Sequence, residues 1–453
     1  MSIDLSSIDH TIESLSLGTL DTAAIQKLRE NISKQVNELG CLNTQTVFLT
    51  RLATKLFSNS SSQICYDLLL YTTSKAQADI WLGVLISRLK QIDLGYTELQ
   101  LCLGLFSKYF LEFQRLRDLF VIINDLSHRL SDSARYAFLV EKIRRLVNLP
   151  TFIENSGKSV TLPRLFKPEV YFPFLIRHAF VFNDTLLSGI IISQSCLVGF
   201  GAVIWKAILM QVSRSDEGSR VWSGALSQVQ ERALEATLVP LLKQASHPHL
   251  VTLCLSSALR SMEDQMFRLF YRLLIFRKLS PRVPVNIFGF LREIATDHLN
   301  IRVEKELGIC LLQCWSDSKS LQGTSSQNRI YLNQALVAWV GAFQNAIINS
   351  PSYADMITYV LRGISAHLAC NIDEQRVLGM AVGEWLVERF CIGVKPKSDG
   401  EKDENSRILK FEYAENEATK LVKPLFEPIP LYRTCGTQVD KCKLSFKFIL
   451  RFL

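Results

Sequence analysis

Two groups of side chains have the residue types and spacing that could hold a metal ion. Cys310 and Cys314 are separated by three residues, and this i, i+4 spacing places both thiols on one face of a helix. His247 and His249 flank Pro248 in a predicted turn. Structural zinc sites combine two such pairs, and no second pair with usable spacing lies near either group in the sequence. We therefore interpret the cysteines as core thiols and the histidines as solvent-facing, and we predict no metal and no other cofactor.

Motifs for covalent or nucleotide-dependent catalysis are missing from the sequence. It contains no G-x-S-x-G, H-E-x-x-H or Walker pattern. Gly199-Phe-Gly201 is the nearest glycine doublet, and it lacks both the preceding strand and the phosphate-binding continuation. The seven histidines occur mostly one at a time along helical patterns. We predict that the chain is not an enzyme.

Charged side chains cluster at three places. Two clusters are basic. The first consists of Lys142, Arg144 and Arg145, and the second of Arg272, Arg277, Lys278 and Arg282, with aromatic residues between them. The net charge of +8 is small for 453 residues, so a solvated ridge or a surface for an acidic partner explains them better than direct nucleic-acid binding. The third is Ser398-Asp-Gly-Glu401, which resembles an acidophilic kinase site and which we interpret as part of a solvated loop.

Helical periodicity dominates the elements that carry these residues. Apolar side chains recur at steps of three and four in several segments: Phe106 to Leu130; Leu269, Leu273 and Phe276; Ile357, Leu361, Ile364 and Leu368; and Leu378, Ala381, Val382, Trp385 and Phe390. Breaks are short, as at Pro150–Lys158 and Ser280–Pro284. The pattern predicts an all-α fold, an irregular HEAT-like α-solenoid of paired antiparallel helices.

Composition fits this architecture. Hydrophobic residues make up 48 % of the chain, which is enough for a continuous core. The first residues show no secretory signal, and the 11 cysteines are scattered, so we predict reduced thiols in a cytoplasmic and nuclear protein. Thr185–Trp205 is uncharged over its whole length but contains Ser193, Gln194 and Ser195. We predict a buried helix, or two short ones broken near Gly199–Gly201, and no membrane span.

One pattern is more particular than helix periodicity. An R-x-L-G-M-x-x-x-E core is followed, after a charged gap, by L-K-F-x-Y; its residues are Arg376, Leu378, Gly379, Met380 and Glu384, then Phe411 and Tyr413. Three upstream blocks accompany it in order: Leu149–Gly157, Arg164–Leu175 and Tyr271–Pro284. As a set these resemble the telomere length regulation protein family, the helical scaffold of the Triple T co-chaperone complex. The seven signature residues are expected to be mainly structural.

The resemblance implies a division of the chain. Residues 1–143 would be N-terminal helical repeats, and residues 144–421 the family core with a mobile charged loop near 395–406. Residues 422–453 would be an atypical proline-containing tail. Family members ordinarily continue into a second helical domain, which is expected to be absent here. The chain would then be a shortened isoform, or a gene model that reads into unrelated sequence.

The resemblance also implies a function. The chain would be a non-enzymatic scaffold that partners the two other Triple T subunits and the ninety-kilodalton heat-shock chaperone with its adaptor complex. Together they would help phosphatidylinositol-3-kinase-related kinases mature, which supports DNA-damage checkpoint signalling, TOR signalling and telomere length. Two alternatives stay open: an importin- or armadillo-like adaptor that reads peptides with ladders of exposed Asn and Trp, and a direct binder of telomeric DNA.

Overall fold

The computed structural model describes residues 113–156 (apart from 129), 164–294, 301–392 and 409–427, with a few isolated positions before residue 113. Within these ranges all secondary structure is helical. The described residues form two compact units, divided between Arg272 and Leu273 within one helix, and each unit is described by itself.

From residue 113 onward, the described part of unit 1 contains ten helices, the last of which crosses the division. In chain order they are α1 (Phe113–Ser127), α2 (Asp132–Val147), α3 (Leu149–Ser156), α4 (Pro168–Phe182), α5 (Thr185–Leu197), α6 (Gly201–Val212), α7 (Asp216–Leu226), α8 (Glu231–Gln244), α9 (Pro248–Ser261) and α10 (Glu263–Ile275). A 3₁₀ turn at Arg164–Phe166 precedes α4.

Unit 2 contains the remaining helices. They are α11 (Arg282–Ile294), α12 (Ile301–Ser316), α13 (Ser318–Gly323), α14 (Ser326–Ile348), α15 (Tyr353–Leu368), α16 (Asp373–Arg389) and α17 (Glu417–Val422), followed by a 3₁₀ turn at Lys423–Phe426.

Helices that are two or three apart in the sequence pack against each other in both units. In unit 1, α5 contacts α2, α7 and α8, and α6 contacts α4 and α8. In unit 2, α12 contacts α14 and α15, and α14 contacts α16. Tight turns between most consecutive helices, together with this repeated pattern of contacts, are typical of stacked helix pairs. The predicted all-α, irregular HEAT-like solenoid is confirmed.

The uncharged segment 185–205 forms two helices. α5 ends at Leu197 and α6 begins at Gly201, and Gly199 between them has a φ of 100°, a conformation that favours glycine. The predicted break near Gly199–Gly201 is confirmed, and α5 is buried against other helices. Among the described helices, none combines the length and apolarity that crossing a bilayer requires.

The block Arg164–Leu175 fixes the start of α4. Pro168 occupies the first helical position, where a missing N–H costs nothing. The Tyr171 hydroxyl donates to the Leu146 carbonyl at 2.8 Å, and the Phe172 and Phe200 rings lie 4.5 Å apart. Burial raises the pKa of Tyr171, so its phenol stays neutral. This block therefore ties α4 to the end of α2 and to the α5–α6 turn.

Some predicted details are wrong. Pro150 does not break a helix, because it lies in the first turn of α3, where no intrahelical N–H donor is needed. Leu361 and Leu368 are exposed, and Phe276 lies beyond the end of α10 and is 64 % exposed. Three parts of the sequence lie outside the described residues: most of residues 1–112, including Cys102; the charged loop 395–406, which contains Ser398; and the tail 428–453.

Candidate functional site

The signature residues on α16 divide into buried and half-exposed positions. Leu378 and Gly379 are buried, Gly379 against His367 of α15, while Met380 is half-buried. Arg376 is half-exposed and forms an ion pair with Asp373 one turn earlier. Glu384 is half-buried and faces the segment 409–427, which we call the strap. The signature thus links one helix to one returning segment.

Glu384 joins the two parts of the signature. One of its carboxylate oxygens accepts a hydrogen bond from the backbone N–H of Phe411, and the other accepts from the Tyr413 hydroxyl at 3.2 Å. Burial, and then the Glu384 carboxylate, raise the pKa of Tyr413 to about 12, so the phenol keeps the proton that it donates. The spacing R-x-L-G-M-x-x-x-E followed by L-K-F-x-Y therefore reflects a direct contact across 29 residues.

The strap continues along unit 2 through a second set of anchors. Asn416 caps α17 in a reciprocal capping box with Thr419, and its amide donates to the Glu374 carbonyl at 3.0 Å. Gln334 on α14 donates to the Leu421 carbonyl at 3.0 Å. Ala418 and Val422 are fully buried. The strap is thus held by α14 as well as by α16.

The end of the strap packs on the last turn of α16. The Phe426 and Trp385 rings stack with centroids 5.2 Å apart. Arg389 lies 5.5 Å from the Trp385 ring centre, donates to the Gln344 side chain at 3.1 Å and reaches the Phe426 carbonyl at 3.4 Å. A guanidinium that stacks on a ring and binds two oxygens fixes the C-terminal end of α16.

Glycines let the helices of unit 2 approach each other closely. A Cβ at Gly379 would overlap the His367 side chain, and one at Gly363 would overlap the Trp315 ring. His367 stacks on Trp315 with centroids 4.7 Å apart, and its Nδ1 lies 2.9 Å from the Gly363 carbonyl. Because a carbonyl only accepts, Nδ1 carries the proton in the neutral ring. Gly379 of the signature is therefore a contact point between α15 and α16.

The other sequence candidates lie apart from this site. Burial raises the pKa of both Cys310 and Cys314, with Glu306 and Cys310 respectively adding to the effect, so both stay as neutral thiols. Within the described ranges no group of three or more His, Cys, Asp or Glu could hold a metal ion. Arg145 pairs with Glu141 at 3.1 Å, and Arg272 pairs with Glu235 at 2.6 Å. These basic residues already have acidic partners.

Chemically, the site holds elements in place. Both oxygens of Glu384 are engaged by the strap, and no nucleophile is paired with a base among the signature residues. Sequence reasoning found the signature but missed the other residues that anchor the strap and the end of α16: Asn416, Gln334, Gln344 and Arg389. Only the Asn416-x-x-Thr419 pair, which has the spacing of a capping box, offered a local signal.

Comparison with known proteins finds related sequences, among them a mouse and a human protein. No protein-family model matches the chain. The mouse (Mus musculus) telomere length regulation protein TEL2 homolog is 23 % identical over 312 residues, covering 64 % of this chain and 34 % of the relative. The human (Homo sapiens) TEL2 homolog is 23 % identical over 309 residues, covering 63 % and 34 %. The chain thus spans about a third of the length of these curated relatives, and the resemblance predicted from the signature is confirmed.

Proposed function

We propose, on the premise that this chain is a relative of the telomere length regulation proteins, that it is a non-enzymatic scaffold and co-chaperone subunit. Its partners would be the two other Triple T subunits and the ninety-kilodalton heat-shock chaperone with its adaptor complex. Its clients would be phosphatidylinositol-3-kinase-related kinases, whose maturation supports checkpoint signalling, TOR signalling and telomere length. It would act in the cytoplasm and the nucleus, and its effects on telomeres would follow indirectly from the activity of its client kinases.

One observation carries this proposal: the residues that carry the family resemblance hold helices and the strap in place and do not form a reaction centre. Leu378 is buried, Gly379 packs α16 on α15, and Glu384 holds Phe411 and Tyr413 of the strap. These contacts fix the positions of the helices. A protein that binds others through extended surfaces needs its helices held in fixed positions.

The physical mechanism follows from this architecture. Stacked helix pairs expose side chains from many turns, so a large client contacts many residues at once. Each contact contributes little after the loss of freedom on association, and affinity comes from a few well-buried anchors. A scaffold of this kind holds a large helical kinase during folding and releases it afterwards. We place the family core at residues 144–421, as the resemblance implies.

The two alternative functions find less support in the structure. An armadillo-like adaptor would expose tryptophans along its groove, but five are buried: Trp205, Trp222, Trp315, Trp339 and Trp385. A direct DNA binder would need basic side chains free to contact phosphates. Arg272 is instead paired with Glu235, and Arg268 with Glu231 at 3.3 Å.

The experiment that tests the proposal measures client lifetime. The chain is depleted from its native cells, and the half-life of newly synthesised phosphatidylinositol-3-kinase-related kinases is followed by pulse-chase. We expect their half-lives to fall while their messenger RNA levels stay constant, and an unrelated protein kinase serves as control. Unchanged half-lives together with altered telomere length would contradict the co-chaperone function and favour direct action at telomeres.

A further inference from the structure

Unit 2 contains a cavity that the signature does not involve. Its volume is about 340 Å³, and it lies where the end of α12, α13 and the first turns of α14 meet. Trp315 and Leu321 contribute apolar walls, and Ser320, Thr324 and Asn328 contribute polar groups. Phe276, which is largely exposed, also lines it. The cavity is near the lower end of the range for small-ligand pockets, which is roughly 300 Å³.

Arg329 is the charged group in the cavity wall, and it is only 3 % exposed. Its Nε donates to the Thr324 carbonyl at 3.1 Å, whereas its buried Nη1 has no hydrogen-bond partner. No carboxylate of the described residues lies within ion-pair distance of it. A buried cation without a counter-charge is strongly unfavourable, so this guanidinium favours an anion beside it.

The acidic side chains nearest in the sequence are engaged elsewhere. Asp317 caps α13, with its two oxygens accepting from the backbone N–H groups of Lys319 and Ser320 at 3.3 and 3.1 Å. Glu374 accepts from the Ser326 hydroxyl at 2.7 Å. Neither carboxylate compensates Arg329. The counter-charge therefore has to come from outside the described part of unit 2.

Other groups in the wall suit an oxyanion. The Asn328 side-chain amide has no partner among the described residues, so its N–H groups can donate. Asn328 lies in the first turn of α14, a helix of 23 residues whose N-terminal dipole favours negative charge. Asn333, in contrast, is fully used: it accepts from Trp315 Nε1 at 2.9 Å and donates to the Arg329 carbonyl at 2.8 Å. Arg329 and Asn328 thus both line the cavity with hydrogen-bond donors.

We propose that this cavity is a binding site for a single oxyanion, a carboxylate or a phosphate group, held by Arg329 and Asn328. The group can come from two sources, a small free anion or the acidic or phosphorylated side chain of a bound peptide. The cavity volume fits one such group. This site is independent of the proposed scaffold function, and it would exist whether or not the chain serves kinases.

The test uses the purified full chain and calorimetric titration at constant ionic strength. The probes are inorganic phosphate, acetate, N-acetyl-phosphoserine amide and N-acetyl-glutamate amide. We expect saturable binding of at least one probe. Arg329→Gln should weaken it by about tenfold or more, because hydrogen bonds to a charged group are lost. Arg362→Gln, the same change at an exposed position of α15, is the matched control and should bind as the wild type does.

A second variant keeps the test decisive if Arg329→Gln fails to fold. Asn328→Asp places a fixed carboxylate in the wall of the same cavity, where it competes with an anion for Arg329, and it should abolish probe binding. Gln327→Glu adds the same charge one residue earlier, outside the cavity lining, and should leave binding intact. Binding of inorganic phosphate or acetate would identify free anions as the source, and binding of the capped amino acids alone would identify a side chain.

Two results would overturn the proposal. One is the absence of saturable binding of every probe to the folded wild-type chain. The other is binding that survives unchanged in Asn328→Asp or in folded Arg329→Gln.

Discussion

At the scale of single residues, Glu384 has the most specific role, because one carboxylate holds two points of the strap. Phe411 contributes a backbone N–H and Tyr413 a hydroxyl. A hydrogen bond to a charged group contributes roughly 1.5–3 kcal/mol, and an unmatched buried donor costs a similar amount. The strap therefore depends more on Glu384 than on any exposed ion pair of unit 2, such as Lys420 with Glu417.

Replacing Glu384 tests this role. Glu384→Ala should lower the free energy of unfolding by about 2 kcal/mol, and the amide of Phe411 should lose its protection from hydrogen exchange. Glu388→Ala on the same helix is the matched control, because Glu388 is exposed, and it should change stability by less than about 0.5 kcal/mol. Equal protection of Phe411 in both variants would show that Glu384 does not hold the strap.

His367 gives unit 2 a defined pH response. The pKa of His367 is lowered to about 4, mainly by burial; its bond to the Gly363 carbonyl opposes the shift, and the nearby Arg329 contributes to it. The folded protein therefore keeps His367 neutral, whereas the unfolded chain takes up a proton near pH 6.5. The stability that depends on the neutral ring is fully present above about pH 6.5 and is lost as the pH falls toward 4.

His367→Asn should remove this response. We expect wild-type stability to fall between pH 7 and pH 5 by about 2 kcal/mol more than that of the variant, a figure that follows from the two pKa values. Denaturant unfolding at both pH values measures the difference. Parallel pH profiles for the two proteins would mean that His367 is not held neutral by the fold.

At the level of residues, the sequence predicted the signature but not the residues that pack around it. Leu378, Ala381, Val382, Trp385 and Phe390 were predicted as one apolar stripe, and all five are buried. The other anchors of the strap could not be predicted because their contacts join distant positions: Gln334 and Leu421 are 87 residues apart. Arg329 was not found either, since its burial depends on α12, α13 and α14 meeting at one place.

At the scale of elements, close helix contacts in unit 2 depend on glycine. Gly379 on α16 meets the His367 side chain on α15, and Gly363 on α15 meets Trp315 on α12. The atoms that an added methyl would meet include His367 Cβ, which cannot move without shifting the backbone of α15. The rings of Trp315 and His367 are thus accommodated because the facing helix has a glycine at each contact.

A pair of glycine substitutions should have opposite effects. Gly379→Ala should destabilise the protein by roughly 1–3 kcal/mol, because the added methyl overpacks the α15–α16 contact. Gly341→Ala on α14 should stabilise it by up to about 1 kcal/mol, because nothing lies near the added Cβ and alanine favours the helix. Thermal or denaturant unfolding of both variants distinguishes these outcomes. Similar shifts of the same sign would contradict the packing role of Gly379.

The apolar periodicity predicted where helices occur more accurately than it predicted which face of each helix is buried. The steps of Ile357, Leu361, Ile364 and Leu368 correctly predicted a helix, yet Leu361 and Leu368 are exposed. α15 buries Met356, Val360, Gly363 and His367 instead, together with Ile364. A glycine and a histidine are weak hydrophobic signals, so a pattern based on apolar residues chose the wrong face. The buried face of α15 is instead determined by its tertiary contacts with α12 and α16.

At the scale of the whole molecule, the account depends on a family relationship that covers about a third of each relative. The predicted all-α solenoid is confirmed, because repeated helix patterns and short breaks are local signals. The scaffold function is a proposal that joins this relationship to a site built for packing. Partner surfaces leave no comparable local pattern in the sequence, since they depend on residues brought together from many helices.

The most direct test of the scaffold function is mass spectrometry of the proteins that co-purify with the tagged chain from its native cells. The account predicts recovery of the two Triple T partner subunits, the ninety-kilodalton chaperone and at least one phosphatidylinositol-3-kinase-related kinase. An unrelated helical-repeat protein, tagged in the same way, serves as control. Recovery of transport cargo or of nucleic acid without these partners would contradict the account.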